Sequence, residues 1–230
     1  MTTETFNIKV AGSMPYARLN TYMWDESEEM PKVKRPLIFM CPGGGYEMTS
    51  DREADPIALQ FMAMGYNVAI LRYSVAPAEY PVALNEAFYA LKLIYKKSEE
   101  WNVDINKIYV QGCSAGGHLA AAAATMGMQR PNAALLGYAV TGNEVKACNP
   151  TAPDCCGMVD DKTCPCFVFA ARDDNVVPVM NSVRFIEALT EKGIAYEEIV
   201  VTNSSEVQQA AQQLSSECDA IFVPNDSVIQ

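Results

Sequence analysis

The feature that most constrains this chain is an abrupt junction. Lys107–Gln111, with Ile, Tyr and Val at its centre, reads as a β-strand. It passes with no linker into Gly112-Cys113-Ser114-Ala115-Gly116 and then into an alanine-rich run that predicts a helix to about Met126. The rest of the chain repeats this alternation of strand and helix, the pattern of an α/β fold with a mostly parallel central sheet and helices on both faces. Strands are expected at Thr5–Val10, Ala17–Tyr22, Pro36–Met40, Asn67–Tyr73, Ala134–Val140, Cys166–Ala170 and Tyr196–Val201. Helices are expected at Ala54–Met64, closed by Gly65, at Pro81–Glu100, and at Val179–Lys192, ended by Gly193. A loop from about Thr141 to Thr163 interrupts the alternation.

With 230 residues the chain is long enough for one domain with a sizeable core. Its net charge of -11 and pI near 4.6 argue against a nucleic-acid partner, which calls for a basic surface. The polar start, Met1–Lys9, shows no signal-peptide pattern, and the longest apolar runs, such as Leu37–Cys41, are too short to span a bilayer. Neither a membrane nor a secretory route is expected, and the default location is the cytoplasm. Cys155-Cys156 and Cys164-Pro165-Cys166 miss the usual C-x2-C spacing of a zinc site and have no nearby histidine. They are read as reduced, structural thiols, and no metal or cofactor is expected.

The junction carries chemistry as well as fold. Gly112-Cys113-Ser114-Ala115-Gly116 fits G-x-S-x-G, whose glycines permit a sharp strand-to-helix turn. Such a turn exposes the serine hydroxyl and aims the first helix N–H groups at a developing oxyanion. The same five residues also suit a glycine-rich helix N-terminus with no chemistry. Gly43-Gly44-Gly45, after an earlier strand, would let the backbone approach a substrate closely. It matches neither G-x-x-x-x-G-K-[ST] nor G-x-G-x-x-G, which argues against a phosphate loop. Asp174 follows a buried strand, where α/β sites form, although Asp173 or Asp174 could equally cap the next helix.

Taken together, Pro42-Gly43-Gly44-Gly45-Tyr46, Arg52-Glu53, Tyr73-Ser74-Val75-Ala76-Pro77, Gly112 through Ala120, Asp174 with Val177-Pro178, and Asn181-Ser182 resemble the α/β-hydrolase esterases. The nearest group is the esterase/lipase set that includes acetylxylan and feruloyl esterase-like enzymes. The resemblance spans roughly Lys9–Tyr196 and implies an α/β-hydrolase fold and a small-molecule ester substrate. It implies Ser114 as nucleophile, Asp174 as the acid that orients a base, and Gly44, Gly45 and the Ala115 N–H as the oxyanion hole. Pro42 stands where the related HGGG motif begins with histidine; that residue is not the triad base.

The base itself is missing from the pattern. The family carries its histidine in the loop after the last strand, and here Thr202-Asn203-Ser204-Ser205-Glu206 follows. The only histidine in the chain is His118, on the helix that Ser114 opens, where the family has a packing residue. Glu206 is a poor acceptor for an alcohol proton, because a carboxylate pKa lies near about 4.3. Composition also shifts here. No Lys or Arg follows Lys192, and glutamines cluster at Gln208, Gln209, Gln212 and Gln213. The segment from about 197, with a capping box at Asn203–Glu206, resembles part of the ABC-transporter substrate-binding proteins. It is therefore read as a foreign helix–strand tail joined to a hydrolase domain at 1–196.

Overall fold

A computed structural model describes residues 1–29 and 33–197. Its eight described strands form one sheet: β1 (Thr2–Asn7), β2 (Arg18–Met23), β3 (Arg35–Cys41), β4 (Asn67–Arg72), β5 (Val103–Cys113), β6 (Ala133–Gly137), β7 (Cys166–Phe169) and β8 (Tyr196–Glu197). The spatial order is β1-β2-β4-β3-β5-β6-β7-β8. β2 pairs antiparallel with β1 and β4, and every pair from β4 to β8 is parallel. This is the α/β architecture with a mostly parallel sheet that the alternation predicts.

Strand chemistry explains the layering. β4, Asn-Val-Ala-Ile-Leu-Arg, is buried along its whole length, as a parallel strand covered on both faces requires. Its side chains alternate. Val68 and Ile70 join Ile38 and Met40 of β3 on one face, under helix α1 (Asp55–Ala63). Ala69 and Leu71 join Leu37 and Phe39 on the other, the larger core. That core is covered by α2 (Val82–Lys97), α3 (Ser114–Met126) and α4 (Met180–Glu191). α3 is buried at every position from Ala115 to Thr125, which explains its run of small residues.

Several boundaries move. β5 begins at Val103, four residues before the expected Lys107, because Val103 pairs with Arg35 across an irregularity in the β3–β5 ladder. β1 begins at Thr2, drawn toward the N-terminus by its register with Met23. The 141–163 loop carries two short 3-10 turns, Asn143–Ala147 and Cys156–Met158. The expected last strand is described only as far as Glu197, and the capping box, tail helix and apolar stretch after it lie outside the described residues. Among the described residues no helix is long and apolar enough to cross a membrane, and no cluster of three or more metal-ligating side chains occurs.

Candidate active site

The parallel strands β3, β5, β6 and β7 all deliver their C-terminal ends to one edge of the sheet, the usual place for a site in such folds. Ser114 sits at the end of β5, the Pro42–Gly45 loop leaves β3 beside it, and Tyr138 follows β6 on its other side. Asp174 lies in the loop after β7.

This edge is where backbone strain collects. Four described non-glycine residues have positive φ, and three of them occupy it: Tyr46 at 57°, Ser114 at 53° and Tyr138 at 33°. The left-handed region costs a residue with a Cβ about 1–3 kcal/mol and persists only where the surroundings over-determine it. For Ser114 the cause is the turn from β5 straight into α3. The turn is so tight that a Cβ at Gly116 would lie 2.0 Å from the Cys41 carbonyl oxygen and 2.5 Å from that of Pro42. Only glycine lets the first turn of α3 rest on the β3 loop. Ala115 lies within that first turn, whose N–H groups have no intrahelical acceptor.

The β3 loop is tied from several sides. The Tyr73 hydroxyl donates to the Pro42 carbonyl at 2.7 Å. The Gly43 N–H donates to Glu53 Oε2 at 2.7 Å, and the Ala76 N–H donates to the Tyr46 carbonyl at 2.8 Å. Glu47 and Met48 N–H groups turn back onto the Gly44 carbonyl at 3.0 and 3.1 Å. Gly44 has φ of 132° and Gly45 of 63°, conformations that favour glycine at both positions.

His118 belongs to this scaffold. It is 1% exposed, and burial lowers its pKa below the ordinary imidazole value. As a neutral ring it donates from Nε2 to the Pro153 carbonyl at 2.9 Å and accepts at Nδ1 from the Tyr46 hydroxyl at 2.7 Å. Both ring nitrogens are committed, and what they support is Tyr46, the strained residue that closes the glycine loop. This agrees with the packing role that the sequence resemblance implies.

Asp174 is half-buried, and its Oδ1 accepts from the backbone N–H groups of Val176 and Val177, both at 2.8 Å. It thus shapes its own loop; the helix that follows, α4, has Val179 at its N-cap and no side-chain cap, so neither Asp173 nor Asp174 caps it. The loop is joined to the Ser114 side through Asn181 at the start of α4. This fully buried residue accepts from the Gly142 N–H at 2.9 Å and takes the Thr141 hydroxyl on its carbonyl at 2.7 Å.

The sequence reading gave no role to two neighbours of the serine. Glu53 is half-buried and contacts Gly43 and Tyr138. The Tyr138 hydroxyl is held protonated by burial, by Cys113 and by Glu53. The Cys113 thiol is pushed up to about 12, first by burial and then by Glu53, so it stays protonated beside Ser114. The sequence signals of Glu53 are its place in the Arg52-Glu53 pair of the family resemblance and its position ten residues after Gly43, just before a Pro-led helix. The described cysteines are all free thiols.

Comparison with known proteins gives a family match and similar folds. The BD-FAE family matches residues 26–130. The solved structure of an alpha/beta hydrolase enzyme from a Medee basin deep-sea metagenome library superposes with a TM-score of 0.83 at 34% identity, covering 94% of this chain and 96% of that one. Endo-1,4-beta-xylanase B of Butyrivibrio fibrisolvens is 30% identical over 196 residues, 71% of this chain and 31% of that protein. The acetylxylan esterase of Xylanibacter ruminicola is 24% identical over 179 residues, 68% of this chain and 37% of that protein. The chain therefore spans about a third of the length of these two curated relatives.

Proposed function

The chain belongs to the α/β-hydrolase esterase family, and from that premise we propose that it is a serine carboxylic-ester hydrolase scaffold whose turnover is very weak. The candidate substrates are small acyl esters, with carbohydrate-linked acetyl groups suggested by the acetylxylan esterase relative and feruloyl groups by the sequence resemblance. The observation that carries this reading is the left-handed Ser114 at the β5–α3 turn, packed under a glycine loop whose own conformation is fixed.

In this reading Ser114 Oγ attacks the ester carbonyl carbon. The carbonyl oxygen becomes an oxyanion and is met by the N–H groups of Gly44, Gly45 and Ala115. The C–O bond to the alcohol breaks, the alcohol leaves with a proton, and water then hydrolyses the acyl-serine. The proton of Ser114 needs an acceptor. His118 is committed to Tyr46 and Pro153 and does not supply one. Asp174 is the family's orienting acid, with no histidine in this chain to orient. The segment from 197 onward stands where that histidine is expected, and replacement by a foreign tail accounts for its absence. Losing a triad base costs on the order of a millionfold in turnover, while roughly a thousandfold over water survives from the oxyanion hole and binding.

The committed state of the only histidine also favours a second reading, a hydrolase-fold protein that binds esters without turning them over. p-Nitrophenyl acetate and a fluorophosphonate probe separate the two on this 230-residue chain. Slow hydrolysis and slow labelling, both lost in Ser114→Ala, support the weak esterase. No labelling of Ser114 at all supports the binding protein. A rapid p-nitrophenol burst lost in Ser114→Ala overturns weak turnover.

A further inference from the structure

We propose that Glu53 is a positioning residue for the oxyanion loop, one carboxylate that holds the loops on both sides of the Ser114 turn. This rests on the reading of Gly44 and Gly45 as oxyanion donors.

The sheet order places β5 between β3 and β6. Glu53 Oε2 accepts from the Gly43 N–H after β3 at 2.7 Å, and Oε1 accepts from the Tyr138 hydroxyl after β6 at 3.1 Å. The carboxylate thus bridges the two loops that flank the serine turn, and the glycine it holds lies against that turn. A Cβ at Gly43 would come 2.6 Å from Glu53 Oε2, 2.7 Å from the Cys113 carbonyl oxygen and 3.1 Å from Ser114 Cβ.

Three further points give the contact a purpose. First, Glu53 occupies the Gly43 N–H, so the loop's remaining glycine donors are those of Gly44 and Gly45. Second, both of its partners are neutral donors, and a carboxylate here opposes the negative charge that an oxyanion would develop. Its place beside the turn is therefore explained by geometry and not by charge. Third, Tyr138 is held at a φ of 33°, a conformation that needs external support, and Glu53 supplies it at the hydroxyl. Glu53 touches no reacting atom and is not a catalytic residue.

The test compares Glu53→Ala and Glu53→Gln with the unaltered chain. The first readout is amide hydrogen exchange of the peptide spanning residues 42–48; the second is the rate at which a fluorophosphonate labels Ser114. Glutamine retains one acceptor for the Gly43 N–H and an N–H donor for the Tyr138 oxygen. The expected result is loop exchange at least about tenfold faster in Glu53→Ala and near the unaltered rate in Glu53→Gln. Labelling falls about 30- to 100-fold in Glu53→Ala, in line with a misplaced oxyanion donor, and is largely kept in Glu53→Gln. A protected loop in Glu53→Ala overturns the proposal, as does labelling in Glu53→Ala at the rate of an unaltered chain that does label, while Ser114 labelling in the unaltered chain leaves the esterase reading standing. An unaltered chain that never labels, with a deprotected loop in Glu53→Ala, sinks the esterase reading and keeps the positioning role. If Glu53→Gln deprotects the loop as fully as alanine does, the loop is not held by the paired acceptor and donor contacts of residue 53, and the proposal fails.

Discussion

The loop after β3 and the loop after β7 face the same edge of the sheet and are built in opposite ways. The first is held from outside by Tyr73, Glu53, His118 through Tyr46, and the Ala76 N–H. In the second, the carboxylate of Asp174 bonds two N–H groups of its own turn, and Val176 beside it is 81% exposed. In a serine hydrolase the first loop stabilises charge and the second serves proton transfer. In the proposed reading, the chain fixes the charge-stabilising half from several elements and leaves the proton-transfer half to local turn chemistry. Its one histidine works for the first half. The difference teaches that the loop proposed to meet an oxyanion is fixed by the fold independently of any base that would use it.

The largest effect is expected where the fixed loop is forced to move. Gly44 has φ of 132°, and a Cβ there would lie 2.3 Å from the Met48 carbonyl oxygen. Gly44→Ala should cut fluorophosphonate labelling of Ser114 about 100-fold, the loss typical of one oxyanion donor. Labelling within about threefold of the unaltered chain would break the comparison, because the first loop would then be no more decisive than the second.

Next is the clamp on Tyr46. Tyr46→Phe removes a buried hydrogen bond and leaves Nδ1 of His118 without its donor. The expected loss of unfolding free energy is about 1–3 kcal/mol by urea titration. A loss below about 0.5 kcal/mol would mean that the loop is held without His118.

The same histidine gives a pH test. Its folded pKa lies below the usual imidazole value because it is buried. As pH falls through about 6.5 the unfolded chain takes up this proton first, so stability declines until the folded pKa is passed. The unaltered chain should lose more stability than His118→Gln between about pH 7.5 and 5.5. Equal slopes would show that His118 charges freely in the fold, and its placement as a neutral strut would fail.

These contrasts mark what was legible in the sequence. The glycine loop and the Gly112–Gly116 turn were readable because sharp turns and close backbone approach demand glycine at fixed places. The layering was readable because buried parallel strands must be apolar on both faces. The roles of Glu53 and Tyr138 and the partners of His118 were not. Their meaning lies in contacts across 10 to 85 positions of chain, as between Glu53 and Tyr138, and no local pattern encodes them. The onset of β5 was missed for a related reason: Val103 is a strand residue because of its partner Arg35, not because of its polar neighbours.

The smallest effect is the most diagnostic. Asparagine at position 174 keeps an oxygen for the N–H groups of Val176 and Val177, so Asp174→Asn should leave the turn folded. In a complete triad the same change puts the base in the wrong tautomer and costs about 10,000-fold in kcat. Here no histidine of the chain is available for Asp174 to orient, since His118 is bound to Tyr46 and Pro153. Labelling and hydrolysis should therefore change less than about threefold, against that 10,000-fold scale. A large loss would mean that Asp174 does orient a proton acceptor. The β7 loop would then be as much a part of the working site as the β3 loop, and the asymmetry between them would be one of structure alone.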